Sequence, residues 1–257
     1  MSGAKSDLPV RLGAALAMIG GALIALWWGG FVFWLLVSIG ALLMLSEWAG
    51  LSEGVPHRRI AQYALTVPLA LMCPPPVAMG PSWLVLGLIL GAAFFTAAVA
   101  RNGRLGWGVA YVGVPALALV FLRQQEHGFL LCFWAMSLVW ACDSAAYFAG
   151  RAIGGPKLAP LISPNKTWAG LAGGVAGAAA AAWGMVVLFG LPPSLALVTP
   201  FLAVLAQGGD LYESHLKRCA GVKDSGKLLP GHGGLLDRLD GLVAVAPAAA
   251  LLVILLK

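Results

Sequence analysis

Charge is what this chain has least of. Asp, Glu, Lys and Arg make up 10% of its 257 residues, against about 25% in soluble domains. That shortage excludes an ordinary soluble globular protein. Cysteine is also scarce. The four copies stand at positions 73, 132, 142 and 219 with no CxxC pair, which excludes a disulfide framework and a four-ligand zinc site. His215 and Cys219, spaced i, i+4, would supply only half of such a site. A chain of this length and hydropathy leaves no room for a separate soluble domain. What is abundant is apolar: 60% of residues are hydrophobic and 34 are glycine, with a mean hydropathy of +0.90. Glycine at this level suits helices that pack closely in lipid.

A membrane span needs roughly 20 apolar residues, so this length accommodates roughly eight to ten. Apolar runs between breaks give nine candidates, at 11–28, 31–51, 60–73, 82–100, 106–122, 128–150, 168–190, 195–215 and 241–256. The breaks fall at Gly29-Gly30, Pro74-Pro75-Pro76, Arg101 to Arg104 and Leu191-Pro192-Pro193. The third and ninth runs are short. The first follows Lys5 and Arg11 and has the look of a signal peptide, but further spans follow at once, so an uncleaved first helix is expected. The fold expected is all-α, a polytopic transmembrane helix bundle of about nine spans.

Basic residues set the orientation. Loops after even-numbered spans hold Arg58, Arg59, Arg101, Arg104, Arg151, Lys157, Lys166, Lys217, Arg218, Lys223, Lys227 and Arg238, twelve of the 16 Lys and Arg. Those loops are expected in the cytoplasm and both termini outside, although the basic N-terminal tail argues the other way. Topology signalling and attraction to anionic lipid heads account for Arg58, Arg59, Arg101 and Arg104. They do not account for acids mixed among the bases of the last loop.

Only ten residues are acidic. Asp7, Glu53 and Glu126 fall in tails or loops. Glu47, Asp143, Asp210 and Glu213 fall within or at the ends of apolar runs, where a carboxylate costs about 2.5–3.5 kcal/mol and normally faces a polar cavity or a ligand. Asp210, Glu213, Ser214 and Lys217 are spaced to share one helix face. Asp237 and Asp240 are spaced i, i+3 at the opening of the last span. Two helix ends could therefore bring carboxylates together around a divalent cation, and hard oxygen ligands suit Mg²⁺. Salt bridging with Lys217, Arg218 and Arg238 is the competing reading of the same acids. Asp143 and Tyr147 are i, i+4 in the sixth run. After it come Gly150-Arg151, Gly154-Gly155-Pro156-Lys157 and Ser163-Pro164-Asn165-Lys166-Thr167. These glycines permit close backbone approach, and Lys166 offers a point charge to phosphate. Ser163-Pro164 equally suits a helix entry. Gly221 to Lys227 fits G-x4-G-K, but Leu228 replaces the required Ser or Thr, so a chance match is the better reading. His232-Gly233-Gly234 reads equally as a plain turn or as a phosphate donor.

Residues 214–240 read S-x-apolar-K-R-x4-K-D-x-small-x2-apolar-small-x-H-G-G-apolar-x-D-R-apolar-D without a gap, from Ser214 and Lys217-Arg218 through Lys223-Asp224 and His232-Gly233-Gly234 to Asp237-Arg238-Leu239-Asp240. This pattern resembles the signature of the phosphatidate cytidylyltransferase (CDP-diacylglycerol synthase) family. Asp143-Ser144-Ala145-Ala146-Tyr147-Phe148, with Gly150-Arg151, and Ser163 to Thr167 are similar to upstream family segments. The family often has a Glu soon after that Thr; here the stretch is Trp168-Ala169-Gly170. The likeness is specific over about residues 140–241.

The resemblance implies that CTP and phosphatidate react to give CDP-diacylglycerol and pyrophosphate. It implies Mg²⁺, with a second cation as an option, and a single integral membrane domain over 1–257. N-terminal helices would occupy roughly 1–127 and the catalytic half 128–257. Asp210, Asp237 and Asp240 would be the metal ligands, with Asp143 and Asp224 in reserve. Asp237, Asp240, Asp210, Lys217, Arg218 and His232 would form the catalytic set. Ser214, Lys166, Lys223, Arg238 and Asn165 would bind substrate phosphate. A bacterial inner membrane, a site facing the cytoplasm, membrane lipid as partner, a homodimer and no nucleic acid complete the expectation. A related lipid-nucleotide or polyprenol enzyme is the first rival. A CDP-alcohol phosphotransferase lacks its D-G-x2-A-R motif here. A transporter normally shows two related halves, whereas these acids concentrate in the later part of the chain.

Overall fold

The computed structural model of the chain describes residues 7–226, 228 and 233–256. Among them run nine α-helices: α1 (Asp7–Trp28), α2 (Gly30–Leu51), α3 (Arg58–Leu71), α4 (Trp83–Ala100), α5 (Gly103–Gln124), α6 (Gly128–Ile153), α7 (Trp168–Phe189), α8 (Pro193–Cys219) and α9 (Leu236–Leu255). They fall where the nine apolar runs stand. Seven of the nine, α2 and α4 to α9, are long and apolar enough to cross a membrane. The third is short, at 14 residues. Side chains such as Trp27, Phe94 and Val187 are 77%, 78% and 82% exposed. Large apolar surface of this kind suits lipid rather than water.

The breaks follow from local chemistry. Gly29 and Gly30 both take positive φ, 67° and 47°, which separates α1 from α2 by one residue. Arg101 closes α4 in the left-handed region. Asn102 then starts α5: its Oδ1 accepts from Leu105 N at 3.0 Å and its Nδ2 donates to Ser52 O at 2.8 Å. Gly190 caps α7 with φ 72° and Pro193 opens α8, the expected order of glycine at an end and proline at a start.

One expectation needs correction. The stretch read as a possible helix entry at Ser163-Pro164 is a strand. β1 (Lys157–Ala159) and β2 (Ser163–Thr167) form a two-stranded antiparallel sheet, with Lys157 opposite Thr167 and Ala159 opposite Ser163. The helix enters at Thr167 instead, whose hydroxyl accepts from Gly170 N at 3.0 Å. The fold is therefore nearly, not wholly, α-helical. Helix α8 also runs four residues beyond the apolar span, so Lys217 and Arg218 lie in its last turn rather than in a loop. Cations there complement the negative end of the helix.

The chain forms two compact units. The first comprises Met1–Phe121 with Ala220–Leu239, the second Leu122–Cys219 with Asp240–Lys257. In the first, Trp48 is buried, packs against Tyr111 in a tilted arrangement with ring centroids 4.7 Å apart and donates its indole N–H to Arg104 O at 2.8 Å. In the second, α6 and α7 pack through small residues. A Cβ on Gly170 would lie 3.0 Å from Ala146 O, and one on Gly174 would lie 2.9 Å from Cys142 O. Close backbone approach of this kind substitutes in lipid for a hydrophobic driving force between helices. Trp134 ties α6 to α8 through its indole N–H and Thr199 Oγ1 at 3.0 Å, both buried.

Candidate active site

Two polar clusters carry most of the candidate residues, one in each unit. The cluster of the second unit draws on α6, β2, α8 and α9. Lys166, on β2, places its ammonium 2.6 Å from Asp210 Oδ2 and 2.9 Å from Gln207 Oε1. The Gln207 amide nitrogen in turn donates to Asp143 Oδ1 at 2.9 Å. Ser214, one turn beyond Asp210, donates to its Oδ1 at 3.3 Å. Glu213 is fully buried and pairs with Lys217 at 3.3 Å. Asp240 completes the group, in electrostatic interaction with Asp210, Asp143 and Glu213.

Local sequence explains each position. The i, i+3, i+4, i+7 stripe of α8 aims Asp210, Ser214 and Lys217 to one side. Gly209 lets α9 close on that helix, because a Cβ there would lie 2.7 Å from Asp240 O and 2.8 Å from Ala244 Cβ. On β2, Lys166 is half-buried and Thr167 buried, while Pro164 and Asn165 are exposed. Asn165 thus sits beside the cluster in sequence but not within it.

The cluster gathers hard oxygen donors, the ligand type Mg²⁺ takes. Asp143, Asp210, Asp240 and Glu213 bring four carboxyl groups against two ammonium groups, Lys166 and Lys217. Among the described residues no group of three or more acid, His or Cys side chains is placed to hold a metal ion. Mg²⁺ does not need such a group, since one or two carboxylates plus substrate phosphates commonly hold it.

The first unit holds the other cluster, in the loop before α9. Asp237 Oδ2 accepts from Ser225 N at 2.9 Å, Ser225 Oγ at 3.0 Å and Gly234 N at 2.8 Å. Asp224 lies at the same turn: a Cβ on Gly233 would be 3.4 Å from Asp224 Cβ and 2.7 Å from Asp237 Oδ2. Lys223 and Arg238 are exposed in this unit, as Arg218 is in the second. The structure thus brings Asp143, Lys166, Asp210, Ser214, Lys217 and Asp240 together in one unit and holds Asp224 and Asp237 in the other. His232 and Lys227 lie outside the described residues.

The sequence reading missed one functional candidate and found another without its partner. Gln207 extends the α8 stripe by one turn, at i−3 from Asp210, and that spacing would have found it. Glu47, on α2, is the acid that the apolar run left without a partner. Its oxygens accept from Leu235 N and Leu236 N, 188 and 189 residues away, and no local pattern signals such a pairing.

Known proteins match this chain over most of its length. The model of the cytidylyltransferase family matches residues 9–256. A phosphatidate cytidylyltransferase of Brucella suis is 41% identical over 256 residues, covering 94% of this chain and 91% of that protein. That of Rickettsia typhi is 28% identical, covering 95% and 90%. The Bacillus subtilis protein of the same name is 44% identical over 149 residues, covering 56% of this chain and 55% of that protein. A match that runs nearly end to end takes in both clusters and the helices that carry them, so the chain belongs to the cytidylyltransferase family.

Proposed function

We propose that this membrane protein transfers a cytidylyl group from CTP to phosphatidate, giving CDP-diacylglycerol and pyrophosphate for phospholipid synthesis. The observation that carries the reading is the Lys166–Asp210–Gln207–Asp143 network, which holds a cation and two carboxylates among apolar helices. Family membership and the names of the relatives point to the same chemistry.

Phosphatidate needs no strong base, because its phosphate oxygen is already an anion. That oxygen forms a bond to the α-phosphorus of CTP as the bond from this phosphorus to the bridging oxygen of the β-phosphate breaks, and pyrophosphate leaves with the electron pair. The obstacle is repulsion between two polyanions, so catalysis is chiefly positioning and charge stabilisation. Lys166 and Lys217 hold phosphate oxygens, with Arg218, Lys223 and Arg238 attracting the nucleotide from water. Ser214 orients a phosphate by its hydroxyl, and His232 offers a further donor. Asp210 and Asp240 are the preferred ligands for Mg²⁺, with Asp143 beside them. Asp237 and Asp224 order the loop that leads into α9. When bound, the metal screens phosphate charge and stabilises the leaving pyrophosphate.

The site faces the cytoplasm of a bacterial inner membrane, and the helices form about nine spans. Support comes from the basic residues, which concentrate in the loops after even-numbered helices. Lys166 lies between α6 and α7, while Asp210 and Asp240 lie on the halves of α8 and α9 nearest the loop that joins them. Phosphatidate enters sideways from the inner leaflet.

Purified protein in detergent, given radiolabelled CTP, phosphatidate and Mg²⁺, is expected to form labelled lipid, and to stop when the metal is chelated. Asp210→Asn and Asp240→Asn are expected to abolish turnover while the protein stays monodisperse. Near-normal turnover in both would refute the metal assignment. Label entering a polyprenol in preference to phosphatidate would favour the related kinase reading.

A further inference from the structure

Helix α9 begins without a cap of its own. A helix start leaves N–H donors unsatisfied and carries partial positive charge, yet the residue before its first turn is Leu235, whose side chain accepts nothing. The missing acceptor comes from α2. Glu47 Oε1 accepts from Leu235 N at 2.9 Å and Oε2 from Leu236 N at 2.8 Å. The same Oε2 lies 3.3 Å from Ser225 Oγ, and that hydroxyl is also 3.0 Å from Asp237 Oδ2. A serine has one hydroxyl proton to donate, so it bridges the two carboxylates by serving one at a time. Two glycines leave the necessary room: a Cβ on Gly226 would stand 2.8 Å from Glu47 Oε1, and one on Gly234 would stand 2.6 Å from Oε2.

We propose that Glu47 is a positioning residue for the reaction, a clasp that ties Ser225 to Leu235 and Leu236 at the start of α9 and so sets the turn on which Asp237 and Arg238 are carried. The acid sits near the end of an otherwise apolar helix, where an ionisable group is normally retained for function. Its oxygens contact the backbone N–H groups of Leu235 and Leu236 and the Ser225 hydroxyl, so the role assigned to it runs through these residues. The activity readout of this inference rests on the proposed cytidylyl transfer; the clasp itself does not.

The test uses the full chain purified in detergent. Glu47→Gln keeps the size but must turn an amide NH₂ toward a backbone donor. Its kcat with CTP and phosphatidate is expected to fall roughly 10- to 100-fold, as for loss of a charge-assisted hydrogen bond. KM for CTP is expected to change by less than about threefold. Hydrogen exchange at the Leu235 and Leu236 amides is expected to accelerate while α6 to α8 keep wild-type protection. Glu47→Asp, which retains the charge, should recover part of kcat. Gly234→Ala should reproduce the defect without adding to Glu47→Gln. Wild-type kcat and wild-type exchange in Glu47→Gln would overturn the proposal. So would loss of protection throughout the chain in both Glu47→Gln and the milder Ser225→Ala, which would mark the contact as general stability. A wild-type protein that forms no CDP-diacylglycerol would sink the proposed reaction, and the exchange comparison would still decide the clasp.

Discussion

An ammonium group among apolar helices has to be paired, and Lys166 is paired with Asp210 while Gln207 holds it from a second side. Gln207 is itself buried and donates from its amide nitrogen to Asp143 Oδ1 and, more weakly, to Cys142 Sγ. Its one side chain therefore sets the distance between a cation and an anion. Gln207→Ala is expected to lower kcat by about tenfold, the loss of roughly one good hydrogen bond, in the labelled-CTP assay with folded protein. At this scale the charged residues were legible in the sequence, because a carboxylate or lysine in an apolar run is conspicuous. Their partners were less so. Asp143 and Lys166 are 23 positions apart, and only the packing of β2 against the helices makes them neighbours through Gln207.

Helix pairs depend on where side chains are missing. Gly209 sits beside Asp210 and faces Asp240, and a methyl group there would press on a backbone carbonyl. Gly209→Ala is therefore expected to cost about 1–3 kcal/mol and to reduce turnover as well, measured by thermal unfolding in detergent and by the CTP assay. Thr167→Ala removes the hydroxyl that caps α7. It should lower stability by about 1 kcal/mol, seen as a fall in the unfolding midpoint. The helices themselves were readable, since each is an apolar run closed by glycine, proline or arginine. The hairpin was not. Ser-Pro-Asn-Lys-Thr has neither the alternation nor the branched side chains of a usual strand, and it becomes one only by pairing with Lys157–Ala159.

For the molecule as a whole, one native side chain tests the orientation. Cys219 is exposed at the end of α8, whereas Cys73, Cys132 and Cys142 are buried. A membrane-impermeant thiol reagent is expected to label Cys219 in inverted vesicles and not in intact spheroplasts. Labelling from the outside only would reverse the assigned orientation. Seven helices that meet the length and hydropathy of a span already make the chain a membrane protein.

Composition and order of residues alone determined the membrane class, the helix boundaries to within a few residues and the family, because hydropathy, chain breaks and a 27-residue polar pattern are local properties. Tertiary structure alone decided that Asp237 braces its own loop, that Gln207 joins Lys166 to Asp143, and that Glu47 closes the start of α9. Each of these is a hydrogen bond between atoms distant in sequence or set by a turn. Such bonds have no period to read, since their partners are selected by how helices pack.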